Sequence, residues 1–384
     1  MQIKLPTVVG KREAYHLLAN PLSTRKPKTA FNRIALAAAH VVVDRFADNN
    51  PSDRPMLDWQ ATLAYRKYLL DLGFGIAEAM DTSQRGMGLD WPTALELIRR
   101  SLDHAENRAN QIYSGCGTDQ LAPDDARNTD DVVKAYLEQL HAIQKLNGRI
   151  ILMASRALVR VAKSPDDYVK VYQRVLAEAD QPVVLHWLGE MFDPALQGYW
   201  GCNDFNSAMQ VALQIINANI SKIDGIKISL LDEQKEIQMR RLLPQQVKMY
   251  TGDDFNYPNL IAGDAHGHSH ALLGIFDAIA PAASAALQVL AKGDTKKYHV
   301  LMGPTVPLSR LIFRAPTHYY KTGIVFLAWL NGHQDHFTMV SGAQAMRPLP
   351  YFTEIFKLAD QARLLRDPEL AIKRMKQMLA IYGA

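Results

Sequence analysis

The chain has 384 residues, of which 48% are hydrophobic and 21% charged, and its formal net charge of +4 is ordinary for a globular protein of one or two domains. Its basic residues are dispersed and are not interleaved with aromatic residues, so we expect no nucleic-acid partner. The two cysteines make no disulfide framework, and no apolar run reaches the roughly 18 residues of a membrane span, so we expect a cytoplasmic protein.

Residues 1–32 contain three prolines and little periodicity, so we expect an extension that packs on the outside as an arm or a hairpin. Beyond it, short apolar runs alternate with segments whose apolar residues recur at helical spacing. The expected strands are 34–43, 75–80, 111–115, 149–155, 182–188, 224–232, 246–251 and 271–276. The helices that follow them are expected at 59–72, 91–107, 129–146, 165–178, 205–218, 233–243, 258–262 and 282–291.

Eight strand–helix units in roughly 260 residues predict a (β/α)8 TIM barrel, which we place at residues 33–295. A doubly wound sheet is the alternative, and it is disfavoured because no Gly-x-Gly-x-x-Gly follows the first strand. Residues 296–384 are expected to form a helical segment that packs on the barrel or makes a subunit contact. Its last helix should begin after Asp367, a good N-cap, and end before Gly383.

One lysine, Lys227, lies among Ile and Leu residues in the sixth expected strand, Asp224–Asp232. Burying an ammonium in such a strand costs several kcal/mol unless its pKa falls or it finds a partner. An amine that burial makes neutral is a nucleophile for carbonyl carbons. The alternative is a lysine whose stem reaches water, or one that is paired with Asp253 or Asp254.

Polar residues are dense at the predicted carboxyl ends of the strands, where catalytic side chains of a barrel lie. Their density favours an enzyme, although strand ends are also polar because they meet water. The group comprises His40, Asp44, Glu78, Asp81, Thr82, Ser83, Arg156, His186, Lys227, Asp253 and Asp254.

A second constellation is the segment Asp264–His270, with histidines at the alternating spacing of a strand. Imidazoles beside a carboxylate such as Asp254 bind Zn, Mn or Co. A metal-dependent sugar isomerase or class II aldolase that uses His186, His268 and His270 is therefore an alternative. If the eighth strand begins after the histidines, they lie at its amino-terminal end, the stability face of a barrel; if it begins at His266, the other two reach the interior.

Three segments, in matching order and spacing, resemble motifs of the dihydrodipicolinate synthase and N-acetylneuraminate lyase family. Gly225–Asp232 resembles its sixth-strand motif, Tyr250–Asp254 its seventh-strand Ser-Gly-Asp-Asp, and Pro182–Gly189 its fifth-strand Pro-Val-x-Leu-Tyr-Asn-x-Pro. Further segments that resemble the family are Met80–Asp90, Gly115–Thr118, Tyr320–Val325 and Arg347–Pro350. The resemblance runs from about residue 33 to near the C-terminus at weak identity and indicates a divergent branch.

The resemblance implies a (β/α)8 class I aldolase or lyase that works without a metal cofactor. In that family the sixth-strand lysine forms a Schiff base with a 2-oxo acid, commonly pyruvate, and Lys227 takes this position. Thr82 and Ser83 fall on the family's Thr-Thr pair, which binds the substrate carboxylate. A homo-oligomer, either a dimer or a tetramer, is implied as well.

The chain departs from the family's pattern at two strands. His186 replaces the fifth-strand tyrosine that relays protons, and an imidazole can do acid–base work near neutral pH, although a histidine bonded within the core is an equal alternative. The fourth-strand Pro-Tyr-Tyr is missing, and Arg156 near that position is a candidate to clamp a distal carboxylate or phosphate. Asp81, Asp253 and Asp254 complete the expected substrate-binding set.

We therefore expect an enzyme, a Schiff-base aldolase or lyase that acts on a small 2-oxo acid or sugar-acid-like substrate. The metal-dependent barrel is the first alternative. A non-catalytic barrel that binds sugar acids is the second, because the family's tyrosines are missing.

Overall fold

The computed structural model describes residues 1–7 and 10–384, and its centre is a closed barrel of eight parallel strands. The strands follow one another around the barrel in chain order, and β8 pairs with β1 to close it. They are β1 (Ala35–Ala38), β2 (Gly75–Glu78), β3 (Ile112–Cys116), β4 (Arg149–Leu152), β5 (Val183–Leu188), β6 (Ile223–Ser229), β7 (Lys248–Thr251) and β8 (His270–Leu273). The predicted (β/α)8 fold is confirmed, and the doubly wound alternative is wrong because the sheet closes on itself.

Helices surround the barrel and continue into the C-terminal segment. They are α1 (Trp59–Asp71), α2 (Trp91–His104), α3 (Thr129–Lys145), α4 (Arg156–Val161), α5 (Pro165–Ala177), α6 (Phe205–Ala218), α7 (Glu233–Arg240), α8 (Tyr257–Ala262), α9 (Ile275–Ala291), α10 (Thr295–Met302), α11 (Thr305–Ile312), α12 (Tyr320–Leu330), α13 (Leu349–Gln361) and α14 (Pro368–Ile381). Short 3-10 turns lie at Asp81–Ser83, Glu106–Gln111, Pro123–Asp125, Pro194–Leu196, Tyr199–Gly201, Ile220–Lys222, Thr317–Tyr319 and Val340–Ala345. No helix in the described part of the chain combines the length and hydrophobicity that crossing a bilayer requires.

The alternation of side chains along β6 separates the two layers of the core. Ile226 and Ile228 belong to the large apolar cluster that the strands share with the surrounding helices. Gly225 and Lys227 lie on the other face, because successive side chains of a strand point to opposite sides. The strand therefore buries apolar side chains against the helices and presents a glycine and an amine to the barrel interior.

A small apolar cluster fills the interior of the barrel below the carboxyl ends of the strands. Tyr250 is its largest fully buried member, and its ring fits against β6 because Gly225 has no side chain: a β-carbon there would lie 2.6 Å from the ring. The other members are Leu36, Ala38, Ala77, Met80, Tyr113, Ile151, Val184 and Leu272.

The N-terminal extension is an antiparallel hairpin in which Gln2–Pro6 pairs with Arg12–His16. The Tyr15 hydroxyl and the Leu18 N–H each donate to one carboxylate oxygen of Asp360 on α13, both over 2.9 Å. This pair of hydrogen bonds fixes the extension to the C-terminal segment. Residues 8 and 9 of the predicted extension lie outside the described residues.

The C-terminal helical segment packs on the barrel through α12, whose eleven residues are all buried. It contacts the turn after β2, where the Gln84 side-chain amide donates to the Val340 carbonyl over 3.0 Å. The last helix is capped as expected, because the Asp367 carboxylate accepts from the N–H groups of Glu369 and Leu370. The segment thus brings residues distant in sequence to the carboxyl end of the barrel.

The buried carboxyl of Glu236 on α7 makes the stability of the protein depend on pH. Burial raises the pKa of Glu236 from 4.5 to about 8, although its Oε1 accepts a 2.6 Å hydrogen bond from the Ser269 hydroxyl. A raised folded-state pKa means that stability is complete below the unfolded pKa and falls as the pH rises towards the folded pKa. We expect Glu236→Gln to remove this loss, so that the variant is more stable by a few kcal/mol above pH 8, since each pKa unit amounts to about 1.4 kcal/mol.

The measurement is urea unfolding at a series of pH values from about 4.5 to about 9, with Glu138→Gln on the exposed face of α3 as the matched control. A Glu236→Gln variant whose stability follows the same pH curve as the unmodified chain would contradict the assignment.

Candidate active site

A cavity of about 130 Å³ opens at the carboxyl ends of the strands. The loops that follow β2, β3 and β4 supply most of its wall, and β5 and the loop after it complete the wall. This is the end of the barrel at which the sequence predicts catalytic side chains. The lining residues that matter for its chemistry are Asp81, Gly86, Arg156, His186 and Asp193.

Lys227 on β6 is only 7% exposed; it does not line this cavity, but its neighbour in register on β5, His186, does. It is in register with His186 on β5 and Tyr250 on β7, and neighbours in register point to the same side of a sheet, so all three face the interior. Gly252, just after β7, leaves room for the lysine stem. A β-carbon there would overlap the Ser229 hydroxyl oxygen and would lie 2.7 Å from Lys227 Cε and 2.7 Å from the Ile228 carbonyl oxygen.

Burial and two carboxylates act in opposite directions on the Lys227 amine. Desolvation lowers its pKa, because the charged form loses its hydration inside the barrel. The carboxylates of Asp81 and Asp254 raise the pKa of Lys227, and desolvation is the larger effect. The amine is therefore more available in its neutral, nucleophilic form than an exposed lysine would be.

The neighbouring aspartates of the seventh-strand motif have different roles. Burial raises the pKa of Asp254 to about 7, and its Oδ1 accepts the N–H of Ile275 at the start of α9 over 2.9 Å. Asp253 stays within its own turn, where its oxygens accept from the N–H groups of Phe255 and Asn256 and from the Asn256 amide. Asp254 thus acts on Lys227, whereas Asp253 shapes the loop.

His186 lines the cavity with one ring nitrogen unpaired. Its Nε2 lies 3.3 Å from the Ser229 hydroxyl, and its Nδ1 is buried without a hydrogen-bond partner among the described residues. Burial, and then the nearby Lys227 charge, depress the pKa of His186 well below its ordinary value. The ring is therefore neutral, with a polar atom available to a ligand.

A tyrosine of the C-terminal segment reaches the turn after β2. The hydroxyls of Tyr320 and Thr82 are 2.8 Å apart, and both side chains are buried. The Tyr320 ring stacks on Phe313 and lies close to the α-carbon of Gly274, where a β-carbon would be 3.2 Å from the ring. Burial, and then the Asp81 carboxylate, raise the pKa of Tyr320, so its hydroxyl stays protonated.

The sequence alone did not predict Tyr320 as a site residue. The segment Tyr320–Val325 carries a family resemblance, but nothing local places it against a turn 238 residues earlier in the chain. Ser83, the other residue of the predicted carboxylate-binding pair, already has a hydrogen-bond partner. Its hydroxyl donates to the Ala39 carbonyl over 2.7 Å.

Two polar residues of the predicted rim belong to the barrel wall instead. Glu78 is fully buried and receives two hydrogen bonds from the guanidinium of Arg66, over 2.8 and 2.9 Å. His40 is also fully buried, and its Nδ1 lies 2.7 Å from the Asp277 carboxylate. These pairs fasten α1 and α9 to the strands, which explains their polarity without a substrate.

Arg156, the predicted distal clamp, does line the cavity. Its Nε donates to Asp193 over 2.6 Å, and its two terminal nitrogens lie above Gly86, within 3.5 Å of where a β-carbon would be. The glycine thus lets a guanidinium rest on the turn that follows β2.

The metal site predicted as the alternative is wrong, because its three histidines lie at opposite ends of the barrel. His270 is the first residue of β8, and its Nδ1 accepts the N–H of Ile34, which precedes β1, so it lies at the amino-terminal end of the barrel. His268 precedes it, whereas His186 lines the cavity at the other end. Among residues 1–7 and 10–384, no three or more His, Cys, Asp or Glu side chains are grouped to hold a metal ion.

Comparison with known proteins places the whole chain in one group. A family model described as "Protein of unknown function (DUF993)" matches residues 3–384. A search of curated proteins finds no match to the sequence.

Solved structures of similar fold are dihydrodipicolinate synthases. The enzyme from Acinetobacter baumannii, solved in complex with pyruvate, has 16% identity and a TM-score of 0.61, over 86% of this chain and 99% of that chain. The Thermotoga maritima enzyme has 14% identity and a TM-score of 0.62, over 86% and 100% of the two chains. The 4-hydroxy-tetrahydrodipicolinate synthase of Methylacidiphilum fumariolicum has 15% identity and a TM-score of 0.62, over 91% and 97%. At this identity the likeness shows the fold, as the sequence resemblance implied.

A side chain at Gly252 would overlap the stem of Lys227, which leads to a prediction about stability. We expect Gly252→Ala to destabilise the protein by about 1–3 kcal/mol, because the new methyl overlaps both the lysine stem and a strand carbonyl. Gly117→Ala is the matched control, since a β-carbon there has its nearest neighbour, Asp119 Oδ1, at 3.3 Å. Chemical denaturation measures both, and equal losses for the two variants would contradict a special role for Gly252.

Proposed function

We propose that this chain, which belongs to the DUF993 family of proteins of unknown function, is an aldolase or lyase that forms a Schiff base between Lys227 and a 2-oxo acid. The observation that carries the proposal is the Lys227 amine, buried beside a cavity at the carboxyl end of a barrel. The fold is that of dihydrodipicolinate synthases, one of which was solved with pyruvate. The small-molecule substrate is a 2-oxo acid or a sugar acid that passes through such an adduct.

The first step uses the neutral form of Lys227. Its nitrogen attacks the C2 carbonyl carbon, the carbonyl oxygen leaves as water, and an iminium remains. The positive iminium withdraws electrons from C3, so that a C3–H or a C3–C4 bond can break and leave a neutral enamine. Asp81 and Asp254, which act on the lysine charge, also stabilise the positive iminium.

His186 is the proposed proton acceptor at C3. Its free Nδ1 belongs to a cavity-lining ring, and the Lys227 charge is one cause of its depressed pKa. Proton transfer from C3 discharges the iminium, so the repulsion that opposes an imidazolium disappears in the same step. A neutral histidine is therefore suited to this transfer.

Tyr320 and Thr82 form the proposed proton path for the departing oxygen. One proton of the leaving water comes from the attacking nitrogen, and the other passes from Tyr320 through Thr82; the raised pKa of Tyr320 then drives its hydroxyl to take a proton back from bulk water. The substrate carboxylate is proposed to lie at the Asp81–Ser83 turn, on Thr82 and Ser83. The Ser83 hydroxyl donates its hydrogen to the Ala39 carbonyl, whereas the Thr82 hydroxyl can accept from Tyr320 and keep its own hydrogen, so Thr82 carries most of this role.

Arg156 and Asp253 complete the proposed set in unequal ways. Arg156 faces the cavity and suits a distal anion, whereas Asp253 supports the loop that carries Asp254. The homo-oligomer and the cytoplasmic location expected from the sequence stay predictions.

The central experiment is reductive trapping with pyruvate. We expect borohydride and pyruvate together to add the mass of a reduced pyruvate adduct at Lys227, located by peptide mass spectrometry. Lys227→Met should abolish the adduct, and Lys163→Met, which alters an exposed lysine, should keep it.

No adduct at Lys227 with pyruvate or with any of a broad panel of 2-oxo acids would sink the proposal. Binding of such an acid with equal affinity to the unmodified chain and to Lys227→Met would instead favour the non-catalytic barrel.

Proton transfer supplies an independent test. We expect Tyr320→Phe to slow exchange of the pyruvate methyl protons with deuterated water by about 100-fold, because dehydration to the iminium loses its acid. Proton NMR measures the exchange, and Tyr319→Phe, at the partly exposed neighbouring residue, is the matched control. Equal rates in both variants would remove Tyr320 from the proton path.

A further inference from the structure

A second buried lysine, Lys321, lies at the same end of the barrel as Lys227. It is the second residue of α12, directly after Tyr320, and it is only 4% exposed. No step of the proposed Schiff-base chemistry uses it. Its Nζ lies 4.7 Å from the centre of the Tyr320 ring, but within the described residues no carboxylate forms a salt bridge with it, and a buried ammonium of this kind needs a physical explanation.

The hydrogen bonds of Lys321 are too few and too weak for a buried ammonium. Its Nζ donates to the His318 carbonyl over 3.2 Å and to the thioether sulfur of Met87 over 3.3 Å. An ammonium has three donors, and a thioether is a weak acceptor. Within the described residues, one donor is therefore left without a partner.

The guanidinium of Arg156 approaches the same turn, Gly86–Met87. Its terminal nitrogens lie above Gly86, which precedes the Met87 that Lys321 contacts. The Asp193 carboxylate takes only the Arg156 Nε on one oxygen and the Ala195 N–H on the other. In the part of the chain that the structure describes, the two terminal nitrogens of Arg156 make no hydrogen bond.

The charges around Lys321 fit an incomplete site. Burial lowers the pKa of Lys321 to about 8, Asp81 and Asp193 act to raise it, and Arg156 lowers it further. Two cations thus repel each other near the Gly86–Met87 turn, and Asp81, Arg156 and Asp193 line the cavity there. An anion between them would supply acceptors for the free donors and remove the repulsion.

We infer that Lys321 and Arg156 together bind a second anionic group of the substrate, a carboxylate or a phosphate, at the end remote from Lys227. This inference rests on the proposed function and narrows its substrate class to 2-oxo acids with two anionic groups. Asp81 acts on the charges of both Lys227 and Lys321, so both amines face the turn that carries Asp81.

The test compares three probes of the unmodified chain: pyruvate with one carboxylate, 2-oxoglutarate with a second carboxylate, and 2-keto-3-deoxy-6-phosphogluconate with a phosphate. The concentration that gives half-maximal borohydride trapping at Lys227 is measured for each. We expect at least one doubly anionic probe to need about tenfold less than pyruvate. The doubly anionic probe that needs the lower concentration identifies the second anionic group as a carboxylate or a phosphate.

The variants assign this preference to residues. Lys321→Met and Arg156→Gln should each reduce the ratio between pyruvate and the preferred probe by about tenfold, whereas Lys163→Met should keep it. If Lys321→Met does not fold, Arg156→Gln, whose side chain is 42% exposed, decides the question. No preference in the unmodified chain, or one that persists in both variants, would overturn the inference.

A non-covalent measurement separates this inference from the proposed function. Calorimetry of the same probes with Lys227→Met measures binding where no adduct can form, and the preference for the doubly anionic probe should remain. If the doubly anionic probe binds more tightly than pyruvate but the unmodified chain forms no adduct, the Schiff base is rejected and the anion site is kept. Adducts without preference would reject the anion site and keep the Schiff base.

Discussion

The desolvation of the Lys227 amine is the constraint on which the rest of the site depends. A lysine inside a barrel is stable only if its charge is reduced or compensated. Here burial shifts the amine towards its neutral form, and the carboxylates of Asp81 and Asp254 limit that shift. Burial also depresses the pKa of His186 and raises that of Asp254; the Lys227 charge adds to the first shift and opposes the second.

Small and large residues alternate around the lysine to create its place. Gly225 admits the Tyr250 ring below, and Gly252 admits the lysine stem beside it. The Tyr250 hydroxyl donates to Asp224 over 2.6 Å, so the ring is held at a fixed height in the barrel. The amine is therefore directed towards the carboxyl end, where the cavity lies, and not towards the amino-terminal end.

The sequence was sufficient for the fold and for the position of Lys227 on a buried strand, because both depend on local patterns. Eight apolar runs of strand length predict the barrel, and a charged residue within one run is visible without a structure. The direction in which the three histidines point was not determined, since it depends on where β8 begins, and a shift of a few residues moves them between the two ends. The wall positions of Glu78 and His40 were equally hidden, because their partners Arg66 and Asp277 lie on helices whose docking is tertiary.

The contribution of the C-terminal segment was the largest omission. Tyr320 and Lys321 reach the turn after β2 only because α12 packs against the barrel, and no periodicity in either segment encodes that contact. The resemblance marked this stretch as part of the family pattern without saying what it touches. Sequence patterns describe what an element buries, whereas the choice of partner over 200 residues of separation is made by packing.

The adjacency of Tyr320 and Lys321 has an evolutionary consequence. Both side chains extend from the first turn of one buried helix, and inserting one residue into the helix just after them would rotate them by about 100° relative to the rest of α12. Such an insertion would remove the proposed proton donor and the proposed anion-binding cation in a single event. Arg156, at the start of α4 and partly exposed, is free to vary alone. If both proposals hold, descendants of this scaffold would change their substrates at Arg156, while the first turns of α12 stay fixed in length.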